Sequence, residues 1–427
     1  MTDPGTAQPS AGPDPPPASH QPTVASGGLW ANHDFRVVLG GQILSAFGDA
    51  LTITAMPLLV LSLTGSAALM GIVAALQMLP DLILGLVAGA VADRWDRRRL
   101  LVWADAGRAL LTLTIPVAFW LGLPTLVVIL AVVVPINVLR LLSDAALSSA
   151  IPGLVGRDHL QRANGYLEAT LSVPFIVGPA VAGVLVATIG AAATLALDAG
   201  SFAASAVAAA LIRRRLLPER TSEVGNLVAE IREGLAFVWH HAVIRAIIGY
   251  WTVIQVATAA LIPTLAYYVT IDRGFGPVLF GLVGSAWSGG YLIGSLVGGR
   301  LDRPGAAARM AIAGGIGGVA VGAMAIAAFP LALLAAGAIV GASVAVIFVS
   351  YATLRVLSTP DGLLGRVGST ARTLTFGLQP VGLLASGVIT DAAGGGSALV
   401  VMSVIILFST VVFGRSRTVR GPATVPA

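Results

Sequence analysis

The chain has 427 residues, of which 56% are hydrophobic and only 11% are charged, and its mean hydropathy is +0.90. Soluble domains carry about a quarter charged residues, so this composition excludes a soluble globule and predicts an all-α membrane protein. The net charge is +5 and the chain contains no lysine, so its basic residues are arginines. We interpret these arginines as loop residues that orient the chain in the membrane, not as a nucleic-acid-binding surface. The absence of cysteine excludes disulfides, thiol catalysis and cysteine-based metal sites.

Residues 1–34 are rich in proline, serine, glycine and alanine, and they contain little that could be buried. This composition predicts a disordered cytoplasmic tail. The segment lacks the charged start and apolar centre of a signal peptide, so we expect no cleavage.

Twelve apolar runs follow, each near the length of about 20 residues that a helix needs to cross a bilayer. They predict two six-helix bundles over 35–212 and 243–413, a linker over 213–242 and a cytoplasmic tail over 414–427. The runs begin near Phe35, Ala67, Leu100, Leu123, Gly165, Ala191, Val243, Pro277, Ala307, Leu331, Val367 and Gly396.

Arginine is concentrated in alternate connections, and the opposite connections hold essentially Arg273 alone. The positive-inside rule places the arginine-rich side, and with it both termini, in the cytoplasm of a bacterial cell. Within the linker, Asn226–Trp239 is amphipathic and is predicted to lie along the membrane surface, with one apolar stripe formed by Leu227, Ile231, Leu235 and Val238.

A charged loop separates the second and third spans, and a weaker copy of it occupies the same place in the second half. The first copy runs from Gly89 to Arg99, and the second from Gly298 to Arg303. A loop repeated in two apolar halves is typical of a secondary transporter built from structural repeats.

The first loop has the pattern Gly-x-x-x-Asp-Arg-x-x-Arg-Arg, formed by Gly89, Asp93, Arg94, Arg97 and Arg98. With this pattern, over roughly residues 31–413, the chain resembles the major facilitator superfamily, specifically its drug-efflux branch of macrolide and siderophore exporters. Asp96 stands where that superfamily usually has a glycine. Further stretches similar to that branch are Gly48-Asp49, Leu63-Thr64-Gly65-Ser66, Arg162-Ala163-Asn164 and Gly178-Pro179-Ala180-Val181-Ala182-Gly183.

The resemblance implies a role for two of these motifs. Asp93 would meet the start of the eleventh helix, and the loop arginines would pair with a carboxylate such as Asp144, forming a latch that opens and closes during transport. The set Gly178, Pro179 and Gly183 would thin the fifth helix and seal the contact between the halves. The alternatives are a loop that sets topology alone and glycines that serve packing alone.

Charged residues within the spans are expected to have a functional or structural role, because a charge at the bilayer centre costs at least about 2.5–3.5 kcal/mol. We predict proton coupling or cation binding at Asp49, where desolvation favours the protonated form; the alternative is a carboxyl that only hydrogen-bonds to a neighbouring helix. Asp81, after Pro80, lines a kinked wet cavity or makes a packing contact. Arg140 pairs with Asp144 one turn on, or with a carboxylate of another helix, and is a further coupling candidate.

Three other intramembrane charges are assigned structural roles. Asp105 and Arg108 are predicted to form a local pair near the inner end of the third helix. Asp198 is predicted to be solvated, or to cap a helix, near the outer end of the sixth. The predicted substrate-cavity residues are neutral amides and aromatics that suit bulky amphipathic ligands: Gln42, Gln255, Trp251, Trp287, Phe376 and Gln379. Tyr267 is assigned to the membrane interface.

The sequence contains no Gly-x-x-x-x-Gly-Lys loop and no metal-ligand spacing, so we predict a non-enzyme without cofactor or metal. The preferred function is a monomeric, proton-coupled exporter of drugs, macrolides or siderophores by alternating access, with protons, lipid and a small molecule as its partners. The alternatives are metabolite or lipid uptake or leaflet transfer by the same fold, and a transport-incompetent receptor or scaffold. Export direction follows from the resemblance alone.

Overall fold

The computed structural model describes residues 29–92, 94–214, 227–301 and 305–416, and every regular element in these ranges is a helix. Asp93 of the predicted latch, Asp302 of the repeated loop, and most of both predicted tails and of the linker lie outside the described residues. The helices are α1 His33–Thr64, α2 Ala67–Ala92, α3 Arg97–Trp120, α4 Thr125–Val155, α5 Leu160–Ile189, α6 Ala191–Ala210, α7 Leu227–His240, α8 Ala242–Ala259, α9 Leu261–Tyr267, α10 Gly276–Arg300, α11 Ala306–Ile326, α12 Pro330–Leu357 and α13 Leu364–Arg415.

Eleven helical segments in the described part of the chain are long and apolar enough to cross a membrane. One of them combines α8, α9 and a π-helical turn at Tyr268–Asp272. The last contains two crossings, because Gly394, with φ 82° and ψ 161°, interrupts α13. The described residues therefore contain the predicted twelve crossings, and each begins within about five residues of its predicted start.

Caps and glycines set the helix boundaries. The Asn32 side chain accepts the Phe35 amide at the start of α1, and Gly65 ends that helix in the left-handed conformation with φ 67°. Asp96, the unusual residue of the charged loop, is the N-cap of α3 and accepts the amides of Arg98 and Arg99. The substitution of aspartate for glycine therefore has a local structural reason.

The packing is repeated in the two halves of the chain. In the first half, α2 and α3 both pack on α4, while α1 and α3 both pack on α6. In the second half, α10 and α11 both pack on α12, while α8 and α11 both pack on α13. Equivalent crossings make equivalent contacts, which is the pseudo-symmetry of two six-helix bundles. The exact domain boundaries 35–212 and 243–413 stay a prediction.

The two bundles meet along α2 with α13 and along α5 with α10. We call the side where α1 begins the near end and the side where α1 ends the far end. The described hydrogen bonds between the halves, those of Asp391 with the start of α2 and of Ser285 with Ala180, lie toward the far end. The bundles are thus joined at the far end.

The amphipathic helix α7 packs on the beginning of α13. Glu233 pairs with Arg366 at 2.5 Å, and a side chain at Gly234 would collide with the Arg366 carbonyl. Val238 is buried whereas Leu235 is exposed, so Leu235 does not share the packed face as the stripe predicted. The side chains of Leu227 and Ile231 lie outside the described residues.

Candidate functional site

The interior of the first half contains a cluster of three carboxylates around one guanidinium. Arg108 on α3 donates to Asp49 Oδ1 on α1 at 2.6 Å, and its guanidinium lies 3.7 Å from the centre of the Phe202 ring on α6. The Arg108 side chain is 4% exposed, whereas that of Asp49 is 41% exposed. Asp49 is therefore the accessible member of a pair whose cation is buried.

Asp105 is the second carboxylate of this cluster and is buried. Its Oδ1 lies 3.7 Å from Arg108, as the predicted local pair requires, and it also accepts the hydroxyl of Ser143 at 3.0 Å. Its Oδ2 accepts the hydroxyl of Ser205 at 2.7 Å. Two hydroxyls and one guanidinium thus satisfy this carboxylate.

Asp198 is the third carboxylate, and its position corrects the prediction of a solvated or capping residue. The residue is 1% exposed and lies in the interior of the first half, where it accepts the Thr52 hydroxyl at 2.5 Å. A Cβ at Gly48 would stand 2.1 Å from its Oδ1, so only glycine lets α1 approach this closely. The pattern Gly48-x-x-x-Thr52 was the sequence signal for this contact.

A second charged group links α2 to α4. Arg140 pairs with Asp81 and also with Asp144, the latter at 3.1 Å, so both partner types proposed from the sequence are present. Its Nε donates to Asn137 at 3.3 Å. Asp144 is the most exposed of these side chains, at 60%.

The arrangement of the predicted latch differs from the expectation. Asp144 is paired with Arg140, while Arg98 donates to the Ala210 carbonyl at the end of α6 at 2.5 Å. Gly89 lies in the last turns of α2, and Arg94 is exposed in the turn before α3. Arg97 Nε is buried without a described hydrogen-bond partner. Among the described residues, the loop arginines therefore make no ion pair with Asp144, because Asp144 and Arg98 each have another partner in this conformation.

The glycines of α5 lie directly against neighbouring helices. A Cβ at Gly178 would be 2.3 Å from Ala50, and one at Gly183 would be 2.7 Å from the Pro277 carbonyl. From the other side, a Cβ at Gly281 would be 2.2 Å from the Pro179 carbonyl. The motif therefore brings α5 into backbone contact with both α1 and α10.

Asp391 is a far-end contact that the sequence reasoning missed. From α13 it accepts the Ser66 hydroxyl at 2.6 Å and the amides of Ala67 and Ala68 at 2.5 and 3.1 Å. A carboxylate at a helix N-terminus interacts favourably with the helix dipole. This residue closes the far end across the two halves, and the Gly65-Ser66 connector was its only sequence signal.

Three predicted cavity residues occupy other positions. Trp251 is buried between Phe348 and Tyr351 inside the second half, and Gln379 is 3% exposed, so both belong to the core. Gln42 lines a narrow crevice among α1, α3, α4 and α6, within the first half. Helical spacing alone does not reveal which face of a helix points inward, which explains these errors.

The other cavity candidates remain available for a ligand. Trp287 stacks on Tyr291 and meets Phe175 of the other half edge-on, so it lies at the contact between the bundles. Phe376 is 40% exposed, with the Arg372 guanidinium 5.7 Å from its ring centre, and Gln255 is half-buried.

The fold agrees with the comparison to known proteins. The family model described as transmembrane secretion effector, of the major facilitator type, matches residues 28–424. The chain belongs to this family. The multidrug efflux pump Tap of Mycobacterium tuberculosis is 32% identical over 381 residues, covering 84% of this chain and 87% of the pump. Macrolide efflux protein A of Streptococcus pyogenes is 27% identical, covering 62% and 65% of the two chains.

The chain also has the fold of solved transporters. The crystal structure of the nucleoside transporter NupG superimposes with a TM-score of 0.75, covering 88% of this chain and 99% of that one, at 12% identity. Family and relatives are transporters and not enzymes. The chain is therefore a multi-pass membrane protein of the major facilitator type.

Proposed function

We propose that this protein exports bulky amphipathic small molecules in exchange for protons, by alternating access between two six-helix bundles. The observation that supports the proposal is the charged cluster around Asp49 and Arg108, which combines a half-exposed carboxylate with a buried cation. Intramembrane charges of this kind mark ion and substrate pathways. The efflux function of the relatives supports the direction of transport.

The proposed orientation places the near end, with both termini, in the cytoplasm of a bacterial plasma membrane. The far-end contacts of Asp391 and Gly183 then close the outer side, and the half-exposed side chains of Asp49 and Asp144 are reached from the inside. Substrate would enter from the cytoplasm or the inner leaflet in this conformation. Asp81, Arg140 and Asp144 form a second charged site on the same bundle, and a monomer embedded in lipid is sufficient for the cycle.

Substrate recognition is proposed to combine charge and aromatic surface. The first half supplies the accessible carboxylates Asp49 and Asp144, and the second half supplies Trp287 and Phe376. Aromatic rings attract cations and hold flat apolar groups without strict geometry. Cationic dyes and macrolides, which carry an amine on a large apolar body, fit this division.

Transport in proteoliposomes with an imposed pH gradient tests this proposal. We expect ethidium and erythromycin to move against the proton gradient and to drive proton flux in the opposite direction. Asp49→Asn should abolish movement, whereas the exposed-loop control Asp158→Asn should not. Movement without proton flux would favour uptake or leaflet transfer, and no movement with any compound would favour a receptor or scaffold.

A further inference from the structure

The buried cluster of the first half contains more carboxylates than cations, and they are not equivalent. Asp49 and Asp105 both lie within ion-pair distance of Arg108. Asp198 is buried beside them, yet no arginine nitrogen lies within ion-pair distance of it among the described residues; its described partners are the Thr52 and Ser201 hydroxyls. A buried ionised carboxylate without a cation is costly, so the protonated form is favoured there.

On this basis, and resting on the proposed proton antiport, we propose that Asp198 and not Asp49 holds the transported proton, and that Arg108 acts as the switch that expels it. In the conformation seen here Arg108 is committed to Asp49. A cationic substrate group that takes over Asp49 releases the guanidinium. The freed positive charge then stabilises ionised Asp198, and one proton leaves as one substrate cation binds.

The geometry of Arg108 suits a switch. Its guanidinium lies over the ring of Phe202, which follows Asp198 by one turn on α6, so Arg108 packs against the face of α6 that also carries Asp198. Arg108 Nε is buried and has no described hydrogen-bond partner. A buried donor without a hydrogen-bond partner is unfavourable, so an additional acceptor would stabilise the guanidinium.

The same helix offers an exit for the proton. Ser201 contacts Asp198 Oδ1 at 3.1 Å, and Ser205, one turn further, donates to Asp105. Asp105 and Ser205 line the narrow crevice that also contains Gln42 and reaches Ile212 at the near end. Hydroxyls one turn apart can be joined by a bridging water. The released proton therefore has a polar route toward the near end, the side from which substrate enters.

The charged and titratable groups facing Asp198 come from two neighbouring helices. From α1 it meets the side of the helix that bears Asp49 and Thr52, and from α3 the side that bears Asp105 and Arg108. The described ion pairs of α4 join Arg140 to Asp81 and Asp144, and among the described residues no ion pair involves α5. A pH dependence of substrate binding can therefore be tested with substitutions of Asp198 and of the three charged groups that face it, Asp49, Asp105 and Arg108.

The test uses the full-length protein in liposomes, with ethidium as the probe, and measures two activities. Gradient-driven ethidium accumulation requires net proton exchange, whereas ethidium counterflow at equal pH does not. In Asp198→Asn, which resembles the protonated state, we expect accumulation to fall on the order of tenfold while counterflow persists. The exposed-loop control Asp158→Asn should match wild type in both assays.

An infrared difference spectrum on ethidium binding provides a readout that a structural role would not alter. Wild type should lose a protonated-carboxyl C=O band when ethidium binds, and Asp198→Asn should lack that band while Asp105→Asn keeps it. If Asp198→Asn does not support counterflow, Asp198→Glu is tested instead. The pH midpoint of its ethidium binding should differ from that of wild type.

The two levels of the hypothesis fail in different ways. Wild-type protein without gradient-driven transport would overturn the proposed antiport itself. Coupled wild type together with a fully coupled Asp198→Asn, a band that disappears in Asp105→Asn instead, or an Asp198→Glu midpoint equal to that of wild type would each overturn the assignment of the proton to Asp198.

Discussion

The first six crossings bury charges, whereas the second six bury neutral hydroxyls. Among the described residues of the second half, the acidic side chains Asp272, Asp361 and Asp391 all lie at helix ends. Its interior is joined instead by hydroxyl pairs, such as Thr252 with Thr375 at 3.2 Å and Thr264 with Ser386 at 2.6 Å. Two bundles of equivalent packing thus have interiors of different chemistry.

This difference indicates a division of roles. An intramembrane charge is costly and marks an ion or substrate pathway, so under the proposed antiport we expect the charge-rich half to handle ions. The second half contributes packing surface and aromatic rings, for example Trp287 against Phe175. Under the proposed antiport, alternating access uses both bundles, whereas proton coupling is expected to use charged groups of the first half only. Four substitutions test this division, in order of decreasing expected effect.

Removing the central cation of the first half should have the largest effect. Arg108→Gln leaves Asp49 and Asp105 without their guanidinium, which should lower the free energy of unfolding by about 3–5 kcal/mol and abolish transport. Denaturant unfolding in detergent and proteoliposome transport would measure this. Arg415→Gln, at an exposed position, is the control. An Arg108→Gln protein of wild-type stability would refute the idea that this charge organises the first half.

Separating the two halves at their contact should open the far end more than it lowers the free energy of unfolding. Gly281→Val places atoms within 2.2 Å of the Pro179 carbonyl, so the far end should open, with a population shift on the order of tenfold. Because the chain lacks cysteine, spin labels at Leu121→Cys and Leu331→Cys can report the far-end distance. Gly289→Val, where a Cβ meets open space, should leave the distance unchanged. Equal distances in both variants would contradict the prediction.

Neutralising the far-end carboxylate should have a smaller effect in the same direction. Asp391→Asn keeps an acceptor for the start of α2 but loses the charge, which should cost about 1 kcal/mol and shift the closed-to-open ratio roughly fivefold. The same pair of spin labels would measure the shift. Asp361→Asn, on the second half but away from this contact, is the matched control. No shift in Asp391→Asn would mean that the glycine contacts alone close the far end.

Removing a hydroxyl from the second half should have the smallest effect on transport. Tyr250→Phe loses contacts to Thr410 at 2.9 Å and to the Met310 carbonyl at 3.2 Å, which should cost about 1 kcal/mol of stability and leave proton coupling intact. Unfolding and the proton-to-ethidium ratio would be measured together. A changed ratio would show that the second half takes part in coupling, and the division of roles would fail.

The charged site illustrates what sequence patterns reveal about an intramembrane group. That Asp49, Asp81 and Arg140 needed partners was predictable, because unpaired charges are unfavourable in an apolar helix. The pairing of Arg140 with Asp144 followed from one-turn spacing on α4. The pairing of Asp49 with Arg108, and the burial of Asp198 against Gly48, join residues far apart in the chain, and no local period encodes such contacts.

By itself, the sequence determined the number of crossings, the division into two halves and the family. The length of each apolar run and the repeated charged loops can be recognised in the sequence without knowing how the helices pack. The tertiary structure alone decided which face of each helix points inward. It placed Trp251 and Gln379 in the core and Gln42 in a crevice of the first half. It also left Asp198 without an ion-pair partner among the residues that the structure describes, because only the packing of α1, α3 and α6 determines which carboxylates reach Arg108.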